Sequence, residues 1–81
     1  MNDLEQRLTK CFSTVFPAVP PADIAGASMK TVKEWDSAAA ITLVMVMEEE
    51  FGISLDFEVL PELDSFRKIA SYLGTRQHEI N

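Results

Sequence analysis

Three stretches of the chain place apolar residues three or four positions apart, which is the spacing of an amphipathic helix. In the first stretch, residues 3–16, charged residues separate the apolar ones, and the pattern predicts a helix that Asp3 caps and Pro17 ends. We expect one face of this helix to pack on a core. That face consists of Leu4, Leu8, Cys11, Phe12, Val15 and Phe16.

The second stretch follows a pair of helix-capping residues. A helix is predicted from Asp36 or Ser37 to about Phe51, because both of its first residues are preferred caps and Gly52 supplies a C-terminal stop. At 100° per residue, this helix has two faces. The core side consists of Ala40, Leu43, Val44, Met47 and Phe51, and the solvent side of Ala38, Ile41, Met45, Glu48 and Glu49.

The third stretch predicts a last helix that Asp64 or Ser65 caps and that ends at Gly74. Its predicted buried face consists of Phe66, Ile69, Ala70 and Leu73. Residues 75–81 are polar, and we expect a flexible tail there. The core of the domain is therefore expected to span about residues 3–74.

The connections differ in length. Residues 17–34 hold three prolines and show no sustained period, which predicts a long loop with one short turn near residues 22–24, held to the body by Ile24, Met29 and Val32. Pro61 limits residues 58–63 to one short helix. The sequence thus predicts a single all-α domain over residues 1–81, a small bundle of three main helices plus one short helix, with a long first loop.

Composition excludes several classes of function. A chain of 81 residues closes one modest core, and one cysteine with one histidine makes neither an internal disulfide nor a zinc site. With 13 acidic and 7 basic residues, the net charge of −6 disfavours nucleic acid as a partner. The longest nearly apolar run, residues 38–47, is about half of what a bilayer-spanning helix needs, and no signal peptide is visible. We expect a cytoplasmic monomer.

The acidic residues are concentrated in one segment. Between Asp36 and Asp64 there are eight acidic residues and no basic one, so this segment carries −8 and the rest of the chain +2. A field of one sign beside the apolar positions Ile41 and Met45 suits docking to basic partner surfaces.

Ser37 is the residue that most invites a chemical role. As an arbitrary Asp-Ser pair, Asp36 and Ser37 would simply begin a helix. Hydrolytic chemistry is disfavoured, because the one histidine, His78, lies in the predicted tail and no second base is near. We therefore expect no catalytic residue and no metal site. The first turn of a helix instead favours a phosphate-linked group, since its N–H groups are unpaired and its dipole end is positive.

Several runs together resemble the acyl carrier protein family. They are Glu34-Trp35-Asp36-Ser37, Ile41-Thr42-Leu43-Val44-Met45, the run from Met47 through three glutamates to Phe51-Gly52-Ile53, and a closing helix from Ser65 to Leu73. The resemblance covers most of the chain and implies an acyl-carrier-like helical bundle.

The resemblance implies a covalent cofactor and a set of partners. Ser37 matches the serine that a phosphopantetheinyl transferase modifies with 4'-phosphopantetheine from coenzyme A, and the arm then bears an acyl group as a thioester. Asp36 matches the aspartate that helps the transferase engage. Ile41, Met45, Glu48 and Glu49 match positions that dock acyl-loading and acyl-using enzymes, and Ala38 shares their face.

The chain departs from the family pattern after the serine. Such carriers usually have Leu, an acidic residue and Glu where this chain has Ala38, Ala39 and Thr42. Trp35 before Asp-Ser is more typical of a stand-alone type II carrier of a specialised pathway than of a carrier in primary lipid synthesis. The resemblance as a whole implies a role in fatty acid or polyketide biosynthesis. These features predict a dedicated carrier with few partners. A peptidyl or amino-acid carrier and an unmodified carrier-like interaction module remain as alternatives.

Overall fold

A computed structural model describes residues 3–80, and the regular structure in that range is helical. Its elements are α1 (Asp3–Val15), α2 (Pro21–Ile24), α3 (Ser37–Phe51), a first 3₁₀ helix (Phe57–Glu62), α4 (Phe66–Thr75) and a second 3₁₀ helix (Gln77–Glu79). The predicted all-α bundle, with three main helices and a long first loop, is confirmed. The one extended pairing in this part of the chain is an isolated antiparallel bridge between Ser28 and Ser65.

The core forms where α1 packs against α3, with α2 and α4 also contacting α1. All the predicted apolar positions of α1 are buried except Val15, which is partly exposed. Asp3 belongs to the first turn of α1, so the prediction that it caps the helix is wrong, and the preceding residue lies outside the described range. On α3, the five residues predicted to face the core are all buried.

Side-chain and glycine caps fix both ends of α3. The carboxylate of Asp36 accepts a hydrogen bond from the Ala39 N–H at 2.8 Å, which defines Asp36 as the N-cap and Ser37 as the first helical residue. Gly52 adopts the left-handed conformation with φ 68°, and its N–H donates to the Glu48 carbonyl at 2.9 Å. A side chain at position 52 would be strained in this conformation, which explains the glycine.

The last helix is capped by Ser65, whose hydroxyl accepts from the Lys68 N–H at 3.1 Å. The predicted end at Gly74 is wrong, because α4 continues through Gly74 to Thr75. Gly74 has a negative φ, and a glycine inside a helix costs only about 1 kcal/mol, which the buried face of α4 offsets. The helix closes where the Arg76 N–H donates to the Leu73 carbonyl at 3.0 Å.

Residues after α4 have defined contacts as far as Ile80. The Arg76 guanidinium donates to the Ser54 carbonyl at 2.8 Å and to Glu79 at 2.6 Å, and Ile80 is partly buried against the core. Flexibility of residues 75–81 stays a prediction.

The long first loop is held at several points. Ile24 and Val32 are buried as predicted, but Met29 is 39% exposed, so its side chain does not hold the loop. Its backbone does, because the Met29 N–H donates to the Asp64 carbonyl at 2.9 Å. The Phe66 N–H donates to the Ala27 carbonyl at the same distance, so that the loop is joined to the start of α4.

Candidate functional site

Ser37 is exposed at the first position of α3, the longest helix in the described range. Its hydroxyl has no hydrogen-bond partner among residues 3–80, so nothing in that range restrains or activates it. The oxygen is therefore accessible to a modifying enzyme but is not part of a nucleophile–base pair.

The first turn of α3, where Ser37 lies, presents backbone N–H groups that lack partners within the helix. The Ala39 N–H donates to the Asp36 carboxylate, and the Ala40 N–H donates to the Asp36 carbonyl at 2.9 Å. The N–H groups of Ser37 and Ala38 have no acceptor in the described part of the chain. Two free donors at the positive end of a 15-residue helix suit a phosphodiester attached to the serine oxygen.

Trp35 anchors the chain two residues before the serine. It is 3% exposed, and its ring lies 5.3 Å from that of Phe12 in an edge arrangement and 5.5 Å from that of Phe16. The side chain of Trp35 therefore packs in the core of the domain. The indole Nε1 is buried and has no hydrogen-bond acceptor within residues 3–80, so apolar contacts alone hold this ring.

One face of α3 presents apolar side chains to solvent. Met45 is 61% exposed and Ile41 44%, although most large apolar residues of the chain are buried, and Ala38 and Ser37 are exposed on the same helix. The prediction that these side chains face away from the core is confirmed.

The two glutamates assigned to this face differ. Glu49 is exposed, whereas Glu48 is half-buried and its Oε2 accepts from the Leu55 N–H at 2.7 Å. Leu55 is itself buried. Glu48 therefore ties the loop after α3 to the helix, a role that the helical pattern alone did not reveal because the partner lies seven residues ahead.

Basic residues from outside the acidic segment neutralise two of its charges. Arg7 Nε lies 2.7 Å from Glu50 Oε2, and Lys68 Nζ lies 3.2 Å from Asp64 Oδ1. The remaining six carboxylates of the segment have no ion-pair partner in the range 3–80. The surface at α3 and the first 3₁₀ helix thus stays strongly negative.

Phe57 is an exposed aromatic residue that the sequence analysis did not single out. It begins the first 3₁₀ helix and is 61% exposed, between Asp56 and Glu58. The Glu48–Leu55 hydrogen bond brings this segment to the acidic end of the exposed face of α3. The sequence signal was available, since an aromatic residue between two acidic residues is an unusual place for a core side chain.

The histidine and the cysteine form no hydrogen bond with Ser37 within residues 3–80. His78 is exposed in the second 3₁₀ helix, 3.6 Å from Glu79. Cys11 is buried in α1 as predicted, and its pKa is raised to about 11, chiefly by burial and then by the nearby Glu50 carboxylate. A thiol in this state is not a nucleophile at neutral pH.

Comparison with known families gives this geometry a context. A family model described as "Phosphopantetheine attachment site" matches residues 6–73. The chain therefore belongs to the phosphopantetheine attachment site family. A search of curated proteins finds no match.

Membership carries general properties. The family carries covalently attached 4'-phosphopantetheine, and its carrier domains interact with phosphopantetheinyl transferases and with partner enzymes. These domains are generally non-catalytic. Among residues 3–80, no helix is long and apolar enough to cross a membrane.

Proposed function

We propose that this protein is an acyl carrier protein whose Ser37 bears the phosphopantetheine arm. The observation that carries the proposal is an exposed serine at the first turn of α3 whose hydroxyl has no hydrogen-bond partner in the described residues 3–80, in a chain that belongs to a phosphopantetheine-carrying family. The arm supplies a thiol that holds an acyl group as a thioester. The protein itself contributes attachment, solubility of the bound group and presentation to enzymes, and it has no catalytic residue of its own.

The donor set near Ser37 fits the phosphate of the arm. The free N–H groups of Ser37 and Ala38 and the helix dipole favour a negative group on the serine oxygen. Asp36 serves the helix as its cap and, in this proposal, contributes a negative charge that the transferase recognises. The exposed hydroxyl is accessible to that enzyme without unfolding of the helix.

We propose that partner enzymes dock on the exposed face of α3. Ile41 and Met45 provide apolar contact, and Asp36 and Glu49 provide charge. Ala38 leaves room at the serine end. Glu48 also belongs to this docking face. One of its carboxylate oxygens accepts a hydrogen bond from the Leu55 N–H, and this bond orients the other oxygen. Small, charged interfaces of this kind exchange rapidly, as is required of a carrier that passes its acyl group from a loading enzyme to a using enzyme.

The acidic surface favours an acyl over a peptidyl cargo, in a dedicated fatty acid or polyketide pathway. Loading assays with an acyl adenylate and an amino-acyl adenylate, each with its purified loading enzyme, separate the two cargoes. Transfer of the amino acid alone would contradict the acyl assignment.

Intact mass tests the site. The protein is incubated with coenzyme A and a promiscuous phosphopantetheinyl transferase, beside Ser37→Ala and the control Ser71→Ala, which alters an exposed serine of α4. We expect the mass to rise by one phosphopantetheine in the unsubstituted protein and in Ser71→Ala, and no gain in Ser37→Ala. A gain in Ser37→Ala overturns the site. No gain in any variant, where a reference carrier loads fully, favours an unmodified interaction module.

A further inference from the structure

A shallow groove runs along the long first loop. Its volume is about 530 Å³, and it is formed by the segment around α2 and by the residues that lead to α3. The residues relevant here are Val19, Gly26, Val32, Lys33 and Glu34. None of the roles described above uses this groove.

The groove ends close to Ser37. Glu34 lines it and precedes Ser37 by three residues, so their Cα atoms are at most about 11 Å apart. The Asp36 N–H donates to the Glu34 carbonyl at 3.1 Å, which shortens the connection further. A phosphopantetheine arm has about as many backbone bonds as five residues of extended peptide, or about 17 Å. An arm on Ser37 is therefore long enough to lie in the groove.

The groove's chemistry matches the arm's. The groove is lined by the partly exposed Val19 and by the buried Ala27 and Val32, whose apolar atoms suit the geminal methyl groups of the pantoyl unit. The arm also has two amide groups that need hydrogen-bond partners. The N–H groups of Lys33 and Glu34, the central residues of a turn closed by the Trp35 N–H and the Val32 carbonyl, have no acceptor in the described part of the chain.

A positive charge in this groove also favours binding of the arm, whose phosphate is negative. Lys33 lines the groove, is exposed, and has no ion-pair partner within residues 3–80. It lies four residues before Ser37, whereas the segment after Ser37 carries no basic residue until Arg67. Lys33 is thus a cation available to the phosphodiester on this side of the serine.

We propose that this groove is the resting site of the phosphopantetheine arm, with Lys33 beside its phosphate. The proposal deepens the proposed function and rests on it, since it requires the arm on Ser37. In the resting state the arm lies along the first loop, away from the exposed face of α3. An enzyme docked on that face draws the arm out of a weak site without displacing core side chains.

Amide chemical shifts test whether the arm contacts this groove and not a second groove elsewhere on the protein. Spectra of ¹⁵N-labelled protein are recorded before and after transfer of the arm, with loading verified by mass. We expect shifts at Gly26, Thr31 and Lys33 in addition to those flanking Ser37. A second groove of about 570 Å³, between the first 3₁₀ helix and α4, includes Ser71 and Thr75 and should remain unchanged.

Gly26 allows the groove to be filled. Within residues 3–80, a Cβ at this position meets only the Asp23 carbonyl, at 3.9 Å, so Gly26→Leu adds a side chain at a lining position of the groove without a clash at its Cβ. Gly74→Leu is the matched control, because a Cβ there meets none of the described residues within 4 Å and Gly74 lies outside the groove. Thermal unfolding of both variants verifies that they fold.

The reactivity of the arm's thiol with Ellman's reagent gives a second readout. We expect the thiol to react about threefold faster in loaded Gly26→Leu than in the loaded unsubstituted protein. The leucine excludes the arm from a groove that otherwise holds most of the arms and shields their thiols. Loaded Gly74→Leu should match the unsubstituted protein. Buried Cys11 contributes a slow phase that the unloaded protein measures separately.

Lys33→Gln tests the phosphate contact, with Lys30→Gln as its control, since Lys30 is an exposed lysine of the same loop that does not line the groove. We expect Lys33→Gln alone to reduce the groove shifts by about half. Loading without groove shifts, or with shifts at Ser71 and Thr75 instead, overturns the resting site and leaves the carrier function intact. Absence of loading overturns the proposed function itself.

Discussion

Arg7 of α1 holds the C-terminal end of α3 through Glu50, at both its side chain and its backbone. Arg7 Nε donates to Glu50 Oε2 at 2.7 Å, and Arg7 Nη2 donates to the Glu50 carbonyl at 2.6 Å. The guanidinium carbon also lies 4.8 Å from the centroid of the Phe51 ring. One cation thus satisfies a carboxylate and a carbonyl of the last helical turn while it covers a buried aromatic residue.

Replacing Arg7 by methionine is expected to destabilise the fold by about 1–2 kcal/mol, because Glu50 would lose a charged hydrogen bond in a partly buried position. For a domain of this size, Tm should fall by about 5–15 °C. Thermal unfolding followed by circular dichroism measures the change. Lys10→Met, which alters an exposed cation of the same helix, should have little effect, and equal losses in both variants would contradict a specific role for Arg7.

Cys11 predicts a decline of stability at alkaline pH. Burial and the Glu50 carboxylate raise its pKa from 9.0 to about 11 in the folded protein. The unfolded chain loses this proton first, so the contribution to stability is complete below pH 9 and is lost as the pH rises through 11. We expect the free energy of unfolding to fall more steeply between pH 9 and 11 in the natural protein than in Cys11→Ala. Parallel pH profiles would refute the assignment.

The same burial predicts slow chemical labelling of Cys11. In native, unloaded protein at pH 8, Ellman's reagent should react at least about 100-fold more slowly than in denaturant, because reaction requires opening of the α1–α3 packing. Rapid labelling under native conditions would show that the thiol is accessible.

Two substitutions at Asp36 separate its structural role from recognition. Asp36→Ala removes the cap of α3 and should cost about 1 kcal/mol, whereas Asp36→Asn retains a capping oxygen and should leave stability nearly unchanged. If the transferase recognises the charge, both variants should accept phosphopantetheine more slowly, by about tenfold in kcat/KM. Normal transfer to Asp36→Asn would reduce Asp36 to a helix cap.

Two methionines of α3 provide a matched pair. Met45 is 61% exposed and Met47 is fully buried. Met47→Ala should destabilise the protein by about 2–4 kcal/mol because it leaves a cavity, and Met45→Ala should change stability by less than about 0.5 kcal/mol. Met45→Ala should nevertheless lower kcat/KM for phosphopantetheine transfer by about fivefold if the transferase docks on this face. An unchanged rate would remove Met45 from the docking surface.

Features that depend on local pattern could be predicted from the sequence. The two faces of α3, its Asp36 cap and its Gly52 stop follow from residue type and a fixed angle per residue, and the structure confirms them. Ser37 as the attachment site came from the resemblance to acyl carrier proteins and not from the local pattern, and this assignment stays a prediction.

Features that depend on tertiary geometry could not be predicted from the sequence. The Glu48–Leu55 and Arg7–Glu50 hydrogen bonds join residues whose approach is set by packing, and no spacing rule predicts them. The prediction that α4 ends at Gly74 failed for a related reason. The packing of Leu73 on the core outweighs the weak preference of glycine to end a helix. The groove beside Ser37 likewise exists only once the loop is folded onto the body.

The apolar surroundings of Trp35 make this residue an intrinsic fluorescence probe of the site. It is the one tryptophan of the chain, and its indole N–H is buried without an acceptor within residues 3–80. We expect this indole to emit at short wavelength, because it is shielded from water and packs on the apolar rings of Phe12 and Phe16. Since Trp35 lies two residues before Ser37, attachment of a charged group at the serine, or an enzyme pressing on the loop, can be followed by fluorescence without an added label.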